Sequence, residues 1–79
     1  MKVTIINYEK VLYQDSAIIS MTVPGINGSF QILENHDSMI SLLGVGFLKL
    51  SHNNHKNFLI KKINGGLLQV KKNIVIVIL

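Results

Sequence analysis

Short apolar runs rich in isoleucine and valine recur every eight to twelve residues, and clusters of glycine and asparagine divide them. This spacing leaves little room for helices and is the signature of an all-β sandwich or barrel. The runs predict strands over Val3 to Ile6, Lys10 to Gln14, Ala17 to Val23, Ser29 to Leu33, Met39 to Leu43, Phe47 to Leu50, Asn57 to Ile63, Leu67 to Val70 and Ile74 to Leu79. Leu48 and Leu50 alternate against Phe47, Lys49 and Ser51, and Leu68 and Val70 against Gln69 and Lys71, as half-buried strands do. Met39 to Leu43 is too short before Gly44 to nucleate a helix, so it is read as extended. Pro24-Gly25-Ile26-Asn27-Gly28 offers a fixed φ, permissive glycines and an Asx side chain, which together predict a tight reversal between the third and fourth strands. Ile74 to Leu79 is apolar on both faces and predicts a central, doubly covered strand or else one covered by another chain, with Lys71, Lys72 and Asn73 as gatekeepers before it.

At 79 residues, all of this must form one domain spanning residues 1–79. Area scaling gives a folded surface of roughly 4,800 Å² against roughly 12,800 Å² for the extended chain, so the core is thin. The sequence has no cysteine, which excludes disulfide staples, thiolate zinc sites and thiol catalysis. Its eight cations are all lysines against four carboxylates, giving a net charge of +4 that suits an acidic partner, yet they form no basic block. Ile74 to Leu79 is the longest uninterrupted apolar run and is far below the ~18 residues of a membrane span, so the sequence alone predicts a soluble intracellular domain.

Candidate chemistry is sparse. Glu34 and Asp37 flank His36 in a short polar loop, an acid–base grouping that lacks a nucleophile elbow and a phosphate-binding glycine loop. His52-Asn53-Asn54-His55 has a spacing that could hold a metal, but it reads better as a hairpin tip because a closed zinc site needs four ligands. Gly65-Gly66 predicts a hairpin turn or bulge, or else a close approach to another chain. Small basic β-barrels bind nucleic acid by interleaving lysines with stacking aromatics. Tyr8, Tyr13, Phe30, Phe47 and Phe58 do not form such a face with the lysines. A free-standing basic β module that binds nucleic acid or another anionic ligand is therefore the alternative reading.

Five segments taken in order carry a resemblance over about 75 residues: Val3-Thr4-Ile5-Ile6, Glu9 to Tyr13, Met21-Thr22-Val23-Pro24-Gly25, Gly28 to His36, and Ile63-Asn64-Gly65-Gly66-Leu67-Leu68-Gln69-Val70. They resemble the N-terminal β-sandwich of the epsilon subunit of F-type ATP synthases, called delta in mitochondria. Tyr8, Ser29, Glu34-Asn35 and Val45 depart from the residues usual in that family, and the sequence has no counterpart of its C-terminal helical pair after Leu79. The resemblance implies a ten-strand sandwich of two sheets and a non-catalytic rotor subunit without cofactor or metal. It further implies that this subunit couples the gamma subunit to the membrane-embedded c-ring, is peripheral to the cytoplasmic face of the cell membrane, and does not engage nucleic acid. By the same resemblance, Asn7, Ser29, Glu34, Asn35, His36 and Asp37 are expected at the c-ring, with His36 alternatively a structural histidine that holds its own loop. Met39, Ile40, Leu42, Leu43, Gly65, Gly66 and Leu67 are expected at gamma. Without the helical arm, the chain is expected not to inhibit ATP hydrolysis by inserting into the catalytic head.

Overall fold

A computed structural model describes residues 1–52 and 57–79, and every regular element in them is a strand. These are β1 (Lys2–Ile6), β2 (Val11–Asp15), β3 (Ile18–Gly25), β4 (Gly28–Leu33), β5 (Met39–His52), β6 (Asn57–Lys71) and β7 (Ile74–Ile78). They form one hydrogen-bonded sheet of seven strands in the order β2-β1-β7-β6-β5-β3-β4. The expected ten strands in two sheets are therefore replaced, among the described residues, by a single ladder. Two pairs of predicted strands merge: Met39 to Leu43 with Phe47 to Leu50 in β5, and Asn57 to Ile63 with Leu67 to Val70 in β6. The merger follows from the register, which runs unbroken from Met39↔Val70 to Leu50↔Leu59 past the glycines that appeared to end a strand.

At those glycines the β5–β6 ribbon turns over. On β5 the inward residues are Met39, Ser41 and Leu43 before the switch and Leu48 and Leu50 after it. On β6, Ile63 is buried on one side of the switch and Leu68 and Val70 on the other. A strand keeps one parity per face, so each strand presents opposite faces to the core on the two sides of this point. Gly65 (φ 119°) and Gly66 (φ 154°) adopt the positive φ that permits it. Neither a hairpin turn nor a bulge is present there. A Cβ on Gly66 would stand 2.6 Å from the carbonyl oxygen of Ile78, so the close approach is to β7 of the same chain.

The sheet packs its two ends on each other. In a flat sheet β1 and β3 would lie about 19 Å apart, four strand spacings. Instead Val3 and Ile5 of β1 share one core with Met21 and Val23 of β3, Ile32 of β4, Leu48 and Leu50 of β5, and Val75 and Val77 of β7. The exposed surface of 4992 Å² matches the expected thin-core scaling. Polar contacts close the two layers at one end of the molecule. The Met1 α-amino group donates to the Ile18 carbonyl at 2.6 Å, and the Asn35 N–H donates to Asn73 Oδ1 at 2.7 Å. Asn73 Nδ2 donates back to Asn35 Oδ1 at 3.0 Å.

The predicted reversal is a hairpin in which Gly25 pairs with Gly28 around Ile26 and Asn27, so Pro24 and Gly25 belong to β3 itself. Lys72 and Asn73 form the β6–β7 turn, with Lys72 at φ 54°, rather than merely guarding β7. β7 is central, parallel to β1 and antiparallel to β6. It is covered on one face only: Val75 and Val77 are fully buried, whereas Ile74 and Ile78 are exposed. No helix among the described residues is long and apolar enough to cross a membrane.

Candidate functional site

The uncovered side of β7 continues across five strands. Register sets Val11 opposite Ile6, Ile6 opposite Ile78, Ile78 opposite Leu67, and Leu67 opposite Leu42. All five side chains point away from the core. Val11 (57%), Leu42 (58%) and Ile78 (37%) are exposed, and Ile6 and Leu67 are half-buried. Ile40 (69%) extends the patch one row along, next to Gln69 and Ile76. Beyond it Ile74 is flanked by Lys2 and Lys71, so the surface grades from apolar to cationic. A contiguous exposed apolar band on a small domain marks an interaction face more often than scattered exposed residues do.

Of the residues expected at gamma, Ile40, Leu42 and Leu67 lie on this outer face. Leu43 is buried in the core and Met39 packs against it, because odd positions of β5 point inward before the switch. Gly65 and Gly66 form the switch itself.

The six residues expected at the c-ring do not share one edge. Ser29 stands at the start of β4, beside the exposed turn of Ile26 and Asn27, whereas Glu34, Asn35, His36 and Asp37 follow its end. Five residues of extended chain separate Ser29 from Glu34 by roughly 17 Å. The two groups also differ in how far their polar atoms are engaged. Asn35 is held by Asn73, His36 Nδ1 lies 2.7 Å from the Asp37 carbonyl, and Glu34 lies 3.6 Å from the Met1 amino group. Asn7 Oδ1 accepts from the Glu9 and Lys10 N–H groups at 2.8 and 2.9 Å, an Asx turn that shapes the β1–β2 connection. Ser29 is exposed on β4.

The histidine that meets a carboxylate at close range is His52. Its Nε2 lies 2.7 Å from Asp15 Oδ2, and the Tyr13 hydroxyl donates to the same oxygen at 3.0 Å. Asp15 Oδ1 accepts from the Ala17 N–H at 2.8 Å. This cluster, which joins the end of β2 to the end of β5, had no local signal because Asp15 and His52 are 37 residues apart. The Ala17 N–H, followed by His52 and Tyr13, holds the Asp15 carboxyl below its ordinary range against the opposing effect of burial. Burial, reinforced by Asp15, pushes the Tyr13 phenol up to about 12. Asp15→Ala is expected to cost ~1–3 kcal/mol, or roughly 4–24 °C in melting temperature by thermal denaturation. Because the folded pKa is depressed, the Asp15 contribution is present above the ordinary carboxylate range and fades as pH falls through the lowered value. The melting difference between wild type and Asp15→Ala should therefore shrink on acidification from pH 6 towards pH 2.

No group of metal-ligating residues occurs among the described residues. His55 and the hairpin tip expected at Asn53-Asn54 lie outside the described residues. The outer face of the β5–β6 ribbon beyond the switch sets Phe47 opposite Lys62 and two residues from Lys49. That places one half-exposed aromatic between two lysines, closer to an anion-binding arrangement than the sequence suggested.

The family profile described as "ATP synthase, Delta/Epsilon chain, beta-sandwich domain" matches residues 1–79. The ATP synthase epsilon chain of Leptospira interrogans is 36% identical over 73 residues, covering 92% of this chain and 55% of that protein. Its counterpart in Leptospira borgpetersenii is 37% identical, covering 95% and 57%. The chain thus spans about half the length of these relatives. A chain in the cryo-EM structure of the Tetrahymena thermophila mitochondrial ATP synthase central stalk and c-ring superposes with a TM-score of 0.78 at 16% identity, over 98% of this chain and 60% of that one. A chain of the Euglena gracilis mitochondrial ATP synthase gives 0.81 at 18%, over 96% and 48%. These likenesses concern the fold, and the profile match together with the bacterial relatives shows that the chain belongs to the ATP synthase delta/epsilon family through its β-sandwich domain.

Proposed function

We propose that this chain is a non-catalytic part of the central stalk of a proton-translocating F-type ATP synthase, coupling gamma to the c-ring during ATP synthesis. The observation that carries the reading is the apolar row Val11, Ile6, Ile78, Leu67 and Leu42, which suits a protein partner held for the lifetime of a rotor. Ile40, Leu42 and Leu67 are assigned to gamma, with Met39, Leu43, Gly65 and Gly66 supporting that face from within. The Ser29 end, with Ile26 and Asn27 exposed beside it, is assigned to the polar loops of the c-ring, because its side chains are free to meet a partner. Asn7, Glu34, Asn35 and His36 then serve the domain's own loops, and Asp37 lends its main-chain carbonyl to His36. Counted once in each layer, β5 and β6 turn the seven strands of the single sheet into nine strand segments in two packed layers, one short of the ten implied by the family. In this reading the protein carries out no chemistry, needs no cofactor and meets the cytoplasmic face of the membrane only through the complex.

The test is a reconstituted complex carrying Ile26→Asp and Ser29→Asp. Proton pumping per ATP hydrolysed should fall several-fold while capture of gamma is unchanged, because the charged turn meets the ring and not gamma. Loss of gamma capture with intact pumping would reverse the two faces. The alternative of anion binding is favoured by Phe47 between Lys49 and Lys62. It requires single-stranded DNA binding that weakens with salt and is lost in Lys49→Gln/Lys62→Gln.

A further inference from the structure

The sheet has two open edges, and they are protected to different degrees. β2 carries an irregularity opposite Ile5 and Ile6, and charged residues bound it at Glu9, Lys10 and Asp15. β4, at the other end of the order, pairs only with β3. Its sequence Gly-Ser-Phe-Gln-Ile-Leu contains no charge and no proline, and its register with β3 has no shift from Ser20↔Leu33 to Gly25↔Gly28. Lysine, proline and bulges are the devices that keep an edge strand from recruiting another strand, and β4 has none of them.

The hairpin fixes which backbone groups are open. Gly25 and Gly28 close a two-residue turn and form a hydrogen-bonded pair, so Val23–Phe30 and Met21–Ile32 are hydrogen-bonded as well. Pro24, which has no N–H, accordingly falls at a non-hydrogen-bonded position opposite Ser29. The N–H and C=O groups of Ser29, Gln31 and Leu33 therefore point away from β3 along the free edge. Their side chains are exposed on the outer face.

From this geometry we propose that β4 is a self-association edge: two free chains pair their β4 strands antiparallel about a two-fold axis at Gln31, forming one continuous sheet. Gln31 pairs with the partner's Gln31, Ser29 with the partner's Leu33, and Leu33 with the partner's Ser29. Each of these three is a hydrogen-bonded pair, so every open N–H and C=O of the edge finds a mate and none is left over. Any extended segment could supply such bonds. A second β4 supplies them with matching length, no like charges face to face, and an isologous contact that closes at two. Each chain carries a net charge of +4, which opposes approach over distance, so added salt strengthens the pair instead of weakening it. The proposal concerns the free chain and does not depend on the rotor reading.

Sedimentation of the purified chain from 10 to 300 µM, with amide hydrogen exchange at both ends of that range, tests it. The expected result is a concentration-dependent dimer, tighter at 0.5 M than at 0.05 M salt, with the Ser29, Gln31 and Leu33 amides slowing by at least about tenfold as the dimer fills. Gln31→Pro removes an outward N–H while leaving the bonds to β3, and it should abolish the dimer. Leu33→Lys, which keeps the whole backbone and adds an edge charge, should weaken the dimer by about tenfold or more and carries the test if the proline variant fails to fold. A monomer throughout the range, a dimer indifferent to Leu33→Lys, or fast exchange at all three amides in the dimer would overturn the proposal. So would a dimer that dissolves as salt is raised.

Discussion

Gly66→Ala is expected to be the most damaging single-methyl change in this protein, lowering stability by about 2–5 kcal/mol. The added Cβ would meet the Ile78 carbonyl oxygen at 2.6 Å and a Leu79 methyl at 3.1 Å. The first of these is backbone in the central strand, so it cannot rotate aside. Overpacking typically costs 1–3 kcal/mol, and a non-glycine residue at φ 154° adds a further ~1–2 kcal/mol. A domain of this length has a total stability of only about 4–12 kcal/mol. Urea denaturation should show a large drop in midpoint, and expression at 37 °C should leave a visible unfolded fraction. Gly28→Ala is the informative control, because its φ of 126° carries a backbone penalty but nothing lies within 4 Å of the added carbon. If both variants lose the same stability, the contact with Ile78 is not what constrains residue 66.

The second large effect concerns association. Leu42→Asp together with Ile78→Asp should reduce capture of gamma by about 10²–10⁴-fold while the melting temperature changes little. Burying a leucine or isoleucine side chain at an interface is worth ~1.5–3 kcal/mol, and two such sites give roughly 3–6 kcal/mol before the cost of desolvating the new carboxylates. Both side chains are exposed on the free domain, at 58% and 37%, so the core should tolerate the change. Titration of labelled gamma against wild-type and variant chain measures the difference directly. Unchanged affinity in a folded double variant would remove this face from the gamma interface.

The outer face shows why a sequence reveals strands more readily than surfaces. Alternation around Leu48, Leu50, Leu68 and Val70 was legible because each strand segment obeys its own period-two rule. The inversion between Leu43 and Leu48 was not, since it depends on Gly44 and Val45 continuing a ladder that glycine usually interrupts. The resemblance had placed Met39 and Leu43 at gamma, although both point inward, and β7 was read as covered on both faces when one is open. The resemblance had grouped Ser29 with His36, yet an extended strand separates its two ends by its full length, and β4 lies between them. Asp15 and His52 meet only because the sheet closes on itself, which no local pattern records. The hairpin at Ile26 and Asn27 was readable, since proline and glycine act through their own φ angles and need no distant partner.

A joint between two plates can be glued, bolted, or cut from one sheet of metal, and the β5–β6 ribbon is of the last kind. Because its register persists from Met39 to Leu50, no seam of side-chain contacts alone separates one layer from the other along this ribbon. Sliding the layers past each other would have to shear a row of backbone hydrogen bonds together or stretch covalent bonds, whereas a glued sandwich would creep by repacking side chains. A load applied to one face should thus reach the opposite face with little elastic lag. The domain's compliance should lie in the loops at its ends rather than in its middle.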